Sequence, residues 1–399
     1  MRIAFLTHEP FFPPSGGGSA AAVYLVRELV ARGHQVEVFG PTIADAAGVE
    51  QKFGIRLRMF TGWRMGRTTP LRTPKYLAYP RALAGWVERV IREGARYDLL
   101  VAQHSIAAVA AGRVKRRMGI PIVLNLLDCL TGFLETWPPY LMPRPVARAL
   151  VRYELSLPRR CHADGVLTVS DGLRERVVAN GYPADRVLAA YYGYDASIFR
   201  CGAASSPPVV GPPRIVMHGS FDHHHLGRIA RCAFLEVVRR RPDVRFLMVG
   251  PITGALRAFL DSVRAIEPGI AIEAPGFTPY DQIPARLESS TIGITPYEPS
   301  TGTHCAFIAK TIEYLAMGLP VVSTPLEGAV RYYQGLEAVT FSGPLGEGFA
   351  DGILRWLDLE PAARRARVEP ARRKVAAELD WPVLCRRASA FLESCGTPR

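Results

Sequence analysis

The sequence has no apolar run of the roughly 20 residues that would cross a bilayer. Its start, Met1 to Thr7, is a short strand-like run followed by turn residues, not a signal peptide. A cytoplasmic protein is the expectation, at most lying at the inner face of the membrane. Cysteine is scarce and unpatterned. The seven residues (Cys129, Cys161, Cys201, Cys232, Cys305, Cys385, Cys395) are odd in number and form no CxxC pair, which argues against both a disulfide framework and a zinc site. The GxGxxG dinucleotide fingerprint is missing, and so is any recognisable nucleic-acid-binding module. The net charge of +13 points to an anionic partner, which on charge alone could be nucleic acid, an acidic lipid or a phosphorylated small molecule, with the missing module counting against the first.

What is present is length and apolar content enough for two cores: 399 residues, 48% of them hydrophobic. In the first half, short aliphatic runs alternate with helical patterns: Ile3 to Thr7, Ala20 to Arg32, Val36 to Phe39, Leu99 to Ala102, Ile106 to Met118, Pro121 to Leu124, Val166 to Val169 and Gly172 to Asn180. Such alternation implies a parallel sheet covered by helices on both faces. A proline- and glycine-rich stretch at 201–213 can sustain neither helix nor sheet and reads as a linker. The alternation restarts at Ile215 and includes a helix over Ala306 to Met317, stopped by Gly318, and a strand over Pro320 to Ser323. The fold class expected is α/β, with two Rossmann-like, doubly wound domains facing across a cleft. The N-terminal domain is placed at 1–200, the C-terminal one at 214–380, and a last helix at 381–399 packs back toward the first.

Ligands of open parallel sheets bind beyond the carboxyl ends of the strands. The first such loop holds Gly16, Gly17 and Gly18 ahead of a helix near Ser19, where bare backbone and free N–H groups suit a diphosphate or a sugar hydroxyl. A purely structural turn is the plainer alternative. Lys310 and Glu313 share one face of the helix before Gly318, and on spacing alone they read as a surface ion pair. The run His223-His224-His225 suggests a metal. However, adjacent side chains on an extended segment point to alternate faces, so His225 or the nearby Arg228 is expected to donate to phosphate oxygens instead.

The string Lys310 through Thr324 resembles the KxxEYLAxGxPVVST signature of the family-4, or group 1, glycosyltransferases of GT-B fold. The likeness extends to the Gly-rich loop, to Arg32 through Val38, to Asp164 through Ser170 and to Tyr192 through Phe199. It implies a retaining glycosyltransferase with its nucleotide-sugar donor on the C-terminal domain and its acceptor on the N-terminal one. Glu313 would bind the ribose, with Lys310 close to the nucleotide. Gly16, Gly17 and Gly18 would line the diphosphate side of the cleft, and Phe277 would hold the nucleobase or else be a core aromatic. Ser220 and His225 stand near positions where relatives carry a diphosphate-binding arginine and lysine.

Two departures from the family pattern stand out: Cys305 occupies a place relatives often give to a second glutamate, and only Asp128 is left of a His-Asp pair. His104 or Asp128 could assist the acceptor hydroxyl, and in an inverting enzyme Asp128 would be the base. A sugar-nucleotide epimerase on the same plan is the other alternative. The implied donor is a UDP-sugar ahead of a GDP-sugar, used without a prosthetic group or metal. The implied acceptor is a glycan, glycolipid or lipid-linked saccharide. Finally, residues 52–81 carry eight cations and no acid, interleaved with Phe53, Phe60, Trp63, Tyr76 and Tyr79, which suits docking on an anionic membrane surface.

Overall fold

The computed structural model describes residues 1–14, 17–60, 72–200, 211–343 and 346–396, with the backbone alone for 72–77. Gly16, Trp63, most of the 201–213 segment and part of the 52–81 stretch lie outside the described residues. The chain forms two compact units, and their division follows the fold more than the linear sequence. One comprises Met1–Gly132, Pro143–Tyr192 and Trp381–Arg399; the other comprises Phe133–Met142 and Gly193–Asp380. The change of unit thus falls at Tyr192, ahead of the expected boundary at 200.

The first unit is built on a seven-stranded parallel sheet of β1 (Arg2–Leu6), β2 (Gln35–Pro41), β3 (Arg56–Phe60), β4 (Leu99–Gln103), β5 (Ile122–Leu126), β6 (Gly165–Thr168) and β7 (Val187–Ala189). Its order is β3-β2-β1-β4-β5-β6-β7. The central strands β4 and β5 are buried at every position, as strands covered on both faces must be, and this produces their unbroken aliphatic runs. The helix Trp381–Gly396 belongs to this unit. Trp381 stacks on Tyr24 of the helix Gly17–Ala31 at 5.1 Å, and Glu393 accepts bonds from Arg32 at 2.7 and 2.6 Å and lies 2.9 Å from His34. The Arg32 guanidinium holds the Glu393 carboxyl down at about 2.

The second unit carries a six-stranded parallel sheet of β8 (Arg214–His218), β9 (Arg245–Val249), β10 (Ile272–Gly276), β11 (Ile292–Thr295), β12 (Val321–Ser323) and β13 (Val339–Phe341). Its order is β10-β9-β8-β11-β12-β13. Phe133–Met142 is tied to this unit by Glu135, which accepts the Thr301 N–H at 2.7 Å and its hydroxyl at 3.1 Å, and by Phe133, whose ring lies 4.8 Å from that of His224.

The helix expected over Ala306 to Met317 is shorter. A separate turn, Thr301–Cys305, ends at Ala306 in extended conformation, and the helix proper is Ala309–Ala316. Gly318 then takes φ +76, the left-handed geometry that a helix terminus favours. Of the five aromatic residues in the membrane reading of 52–81, three have described side chains, while Trp63 and the Tyr76 side chain lie outside the described residues. Phe53, Phe60 and Tyr79 are buried, with Tyr79 donating to the Thr7 carbonyl at 2.8 Å, and Arg58 is paired to Glu37 at 2.7 Å. They pack the core beneath β3 instead of facing a bilayer. No helix among the described residues is long and apolar enough to cross a membrane.

Candidate active site

In each sheet the strand order reverses once, between β1 and β4 and between β8 and β11. At such a point the loops leaving neighbouring strands diverge and open a crevice beyond the carboxyl ends. The chemistry-bearing residues collect at these two points, one in each unit.

In the first unit, the loop after β1 brings Glu9, Gly17 and Gly18 together with His104, the residue that follows β4. His104 is 3% exposed, takes φ +62, and sits with Nε2 3.9 Å from a Glu9 carboxylate oxygen. A side chain at residue 18 would meet it, since a Cβ there would lie 2.9 Å from His104 Nε2 and 3.1 Å from Glu9 Oε2. That close approach is the physical reason for glycine at this position. Burial pushes the His104 imidazole below its ordinary pKa, with Glu9 and Glu154 opposing. Nδ1 of His104 has no hydrogen-bond partner among the described residues. Asp128, after β5, is hydrogen-bonded to the buried Tyr192, whose hydroxyl is pushed well above its ordinary pKa by burial and then by the Asp128 charge. Tyr192 also lies 3.5 Å from where a Cβ on Gly17 would be. The expected residues Gly17, Gly18, His104 and Asp128 therefore converge, and Glu9 and Tyr192, which the sequence did not single out, complete the group. Behind it, buried Glu154 fixes the loop after Asp128 by accepting from Leu130 N at 3.0 Å, Thr131 N at 2.7 Å and Thr131 Oγ1 at 2.5 Å.

In the second unit, Glu313 is 5% exposed, and its Oε2 lies 2.5 Å from Nε2 of His218, the last residue of β8. Its other oxygen has no hydrogen-bond partner among the described residues. The surface ion pair with Lys310 is not formed. Lys310 extends the other way, its ammonium donating to Tyr297 Oη at 2.6 Å and standing 3.5 Å from His225 Nε2. Gly219, at φ +101, makes room for it, since a Cβ there would lie 2.6 Å from Lys310 Cε.

The histidine run is a turn, not an extended segment, so His224 and His225 fall side by side with ring centroids 3.9 Å apart, and Asp222 joins them. These three could hold a cation. Two features work against it: the Asp222 N–H already donates to His225 Nδ1 at 3.1 Å, and the Lys310 ammonium occupies the approach to Nε2. The donor set thus presents positive charge and N–H groups, which suits an anion. Ser220 is half-buried in the same loop. Arg228 is exposed at the first position of the helix Arg228–Arg240. Phe277 is 73% exposed just past β10, which removes the core-aromatic alternative. Cys305 is fully buried and presents no acid to this region.

Comparison with known proteins identifies the family. Residues 16–193 match the glycosyl transferase 4-like domain and residues 212–358 match the glycosyl transferases group 1 family. Among curated proteins, the chain is 21% identical over 243 residues to WcaL of Salmonella typhimurium, named as a colanic acid biosynthesis glycosyltransferase. It is 35% identical over 92 residues to TuaH of Bacillus subtilis, named for teichuronic acid biosynthesis. These alignments span 58% and 23% of this chain and only 57% and 22% of the two relatives. Over nearly their whole lengths, solved structures share the fold. Anabaena HepE with UDP and glucose aligns with TM-score 0.74 at 16% identity, covering 98% of this chain and 99% of that one. Sucrose-phosphate synthase from Thermosynechococcus elongatus aligns with TM-score 0.79 at 14% identity, covering 98% of each chain.

Proposed function

From the premise that this chain belongs to the family-4, group 1 glycosyltransferases of GT-B fold, we propose that it transfers a sugar from UDP to a saccharide hydroxyl with retention of anomeric configuration. The observation that carries the reading is the Glu313 carboxylate. It is buried, held by one oxygen and open at the other, one helical turn from a lysine that faces a histidine-lined loop. A ribose diol supplies the donors that such a carboxylate lacks. Lys310, His225 and the N–H groups of the loop after β8 supply what a diphosphate needs, with Ser220 and Arg228 beside them. Phe277 offers an exposed ring for the base.

The transfer itself depends on stabilising the charge that grows on the leaving diphosphate, and the Lys310 ammonium is placed for that task. A phosphate oxygen then takes the acceptor proton on the same face, which gives retention. On this account the first unit's group at Glu9, Gly17, Gly18, His104 and Asp128 receives the acceptor, with neutral His104 and ionised Asp128 as hydrogen-bond acceptors for its hydroxyls. Uridine as the base is supported by HepE, a structure of the same fold solved with UDP and with UDP-glucose. A polysaccharide acceptor is supported by the relatives named for colanic and teichuronic acid biosynthesis.

Calorimetric titration tests the donor side. UDP is expected to bind more tightly than GDP, and Glu313→Ala to weaken UDP by about 10- to 100-fold, as for the loss of one or two hydrogen bonds to a charged group. Equal affinities in wild type and variant would remove Glu313 from the site. Proton NMR of the product anomer, formed from a UDP-sugar and an acceptor oligosaccharide, decides between retention and inversion.

A further inference from the structure

We infer that His218 is a positioning residue for donor recognition: its imidazole fixes the Glu313 carboxylate so that the remaining oxygen meets the ribose hydroxyls. The inference rests on the reading of Glu313 as the ribose ligand and deepens it.

Both side chains are buried, each 5% exposed, and their hydrogen bond is the only one the carboxylate makes among the described residues. An ionised carboxylate can only accept, so the imidazole donates from Nε2. Its Nδ1 is buried and without a partner among the described residues. A single donor is a spare arrangement for a buried carboxylate. It anchors one oxygen and leaves the other unsatisfied until a ligand brings hydroxyl donors.

His218 itself is held in place. Its backbone N–H donates to Tyr314 Oη at 3.1 Å, and its ring stands edge-on to the Tyr314 ring at 5.0 Å. Tyr314 follows Glu313 in the same helix, so two consecutive helix residues grip the one residue that ends β8. Space for this grip comes from the neighbouring strand, because a Cβ on Gly293 of β11 would fall 2.3 Å from the Tyr314 ring. Lys310 is directed to Tyr297 and His225 and does not compete for Glu313. Replacing His218 by an apolar residue would leave Oε2 buried with no donor, and the carboxylate would be free to turn away from the ribose.

The test compares UDP with 2′,3′-dideoxy-UDP by calorimetry in the full-length protein. Wild type should prefer UDP by about 10- to 100-fold, the worth of the diol's hydrogen bonds to a carboxylate. His218→Leu should lose most of that preference while binding the dideoxy compound within about twofold of wild type, a pattern that general loosening of the fold would not give. His218→Gln, whose amide N–H can replace the Nε2 donor, should restore it. His218→Ala supplies the same comparison if leucine is not accommodated. A leucine or alanine variant that keeps the wild-type preference overturns the role of His218 and leaves Glu313 standing. A wild type that does not distinguish the two nucleotides overturns the ribose reading, and this inference with it.

Discussion

Replacing Gly219 by alanine should damage the recognition of diphosphate while sparing that of the nucleoside. A Cβ at this position would lie 2.6 Å from Lys310 Cε and 3.2 Å from Nζ, and both atoms belong to the far end of a flexible side chain. The lysine will therefore move and the backbone will stay, and the ammonium leaves Tyr297 Oη, to which it donates at 2.6 Å. Two costs follow. Holding a non-glycine residue at φ +101 costs about 1–3 kcal/mol of stability. For a unit of this size, that lowers the melting temperature by about 2–4 °C per kcal/mol. Losing a charge-assisted contact to the diphosphate costs a further ~1.5–3 kcal/mol of binding, or about 10- to 150-fold in affinity. Calorimetry with UDP and with uridine separates the two. UDP affinity should fall by that factor, while uridine affinity changes by less than about threefold. A Gly219→Ala protein that binds UDP as well as wild type would show that Lys310 does not serve the diphosphate.

Three further outcomes are expected. Glu154→Gln keeps one of two accepting oxygens and sets its NH2 against the N–H of either Leu130 or Thr131, so urea unfolding should report a loss of about 2–4 kcal/mol; a change under 1 kcal/mol would contradict the anchoring role. Burial holds His104 below its ordinary pKa, so the unfolded chain binds the proton first, at about pH 6.5. Stability should therefore fall as pH drops from about 6.5 toward the lower folded value, and urea midpoints at pH 7.5 and 5.5 should differ less in His104→Gln than in wild type. Phe277→Ala should weaken UDP by about 5- to 150-fold if the exposed ring stacks on the base, taking the ~1–3 kcal/mol typical of base–aromatic stacking; unchanged affinity would assign the base elsewhere.

Much of the fold could be read from the chain because the strands at the centre of each sheet are buried on both faces and therefore appear as uninterrupted aliphatic runs. The missed strands are edges. In β3, Arg56 and Arg58 interrupt the apolar pattern, since one rim is solvated and Arg58 is spent on Glu37. The short β7 and β13 also close their sheets at the rim. Lys310 and Glu313 were legible as candidates because a helix, its glycine stop and the following strand are local features with a known pattern. Their partners were not. His218 meets Glu313 across 95 positions of sequence, and His225 stands near Lys310 across 85, so only the strand order brings them together. The conformation of the histidine run differed for a local reason: a turn aligned side chains that an extended segment would have separated.

The central claim is that the open oxygen of Glu313 is where a nucleotide ribose binds. Determining the crystal structure of the chain with UDP tests it most directly. The account predicts both ribose hydroxyls near the Glu313 carboxylate, with at least one at about 2.5–3.0 Å from Oε1, and the diphosphate against Lys310. Nucleotide density elsewhere, with Glu313 still bonded to His218 alone, would contradict it.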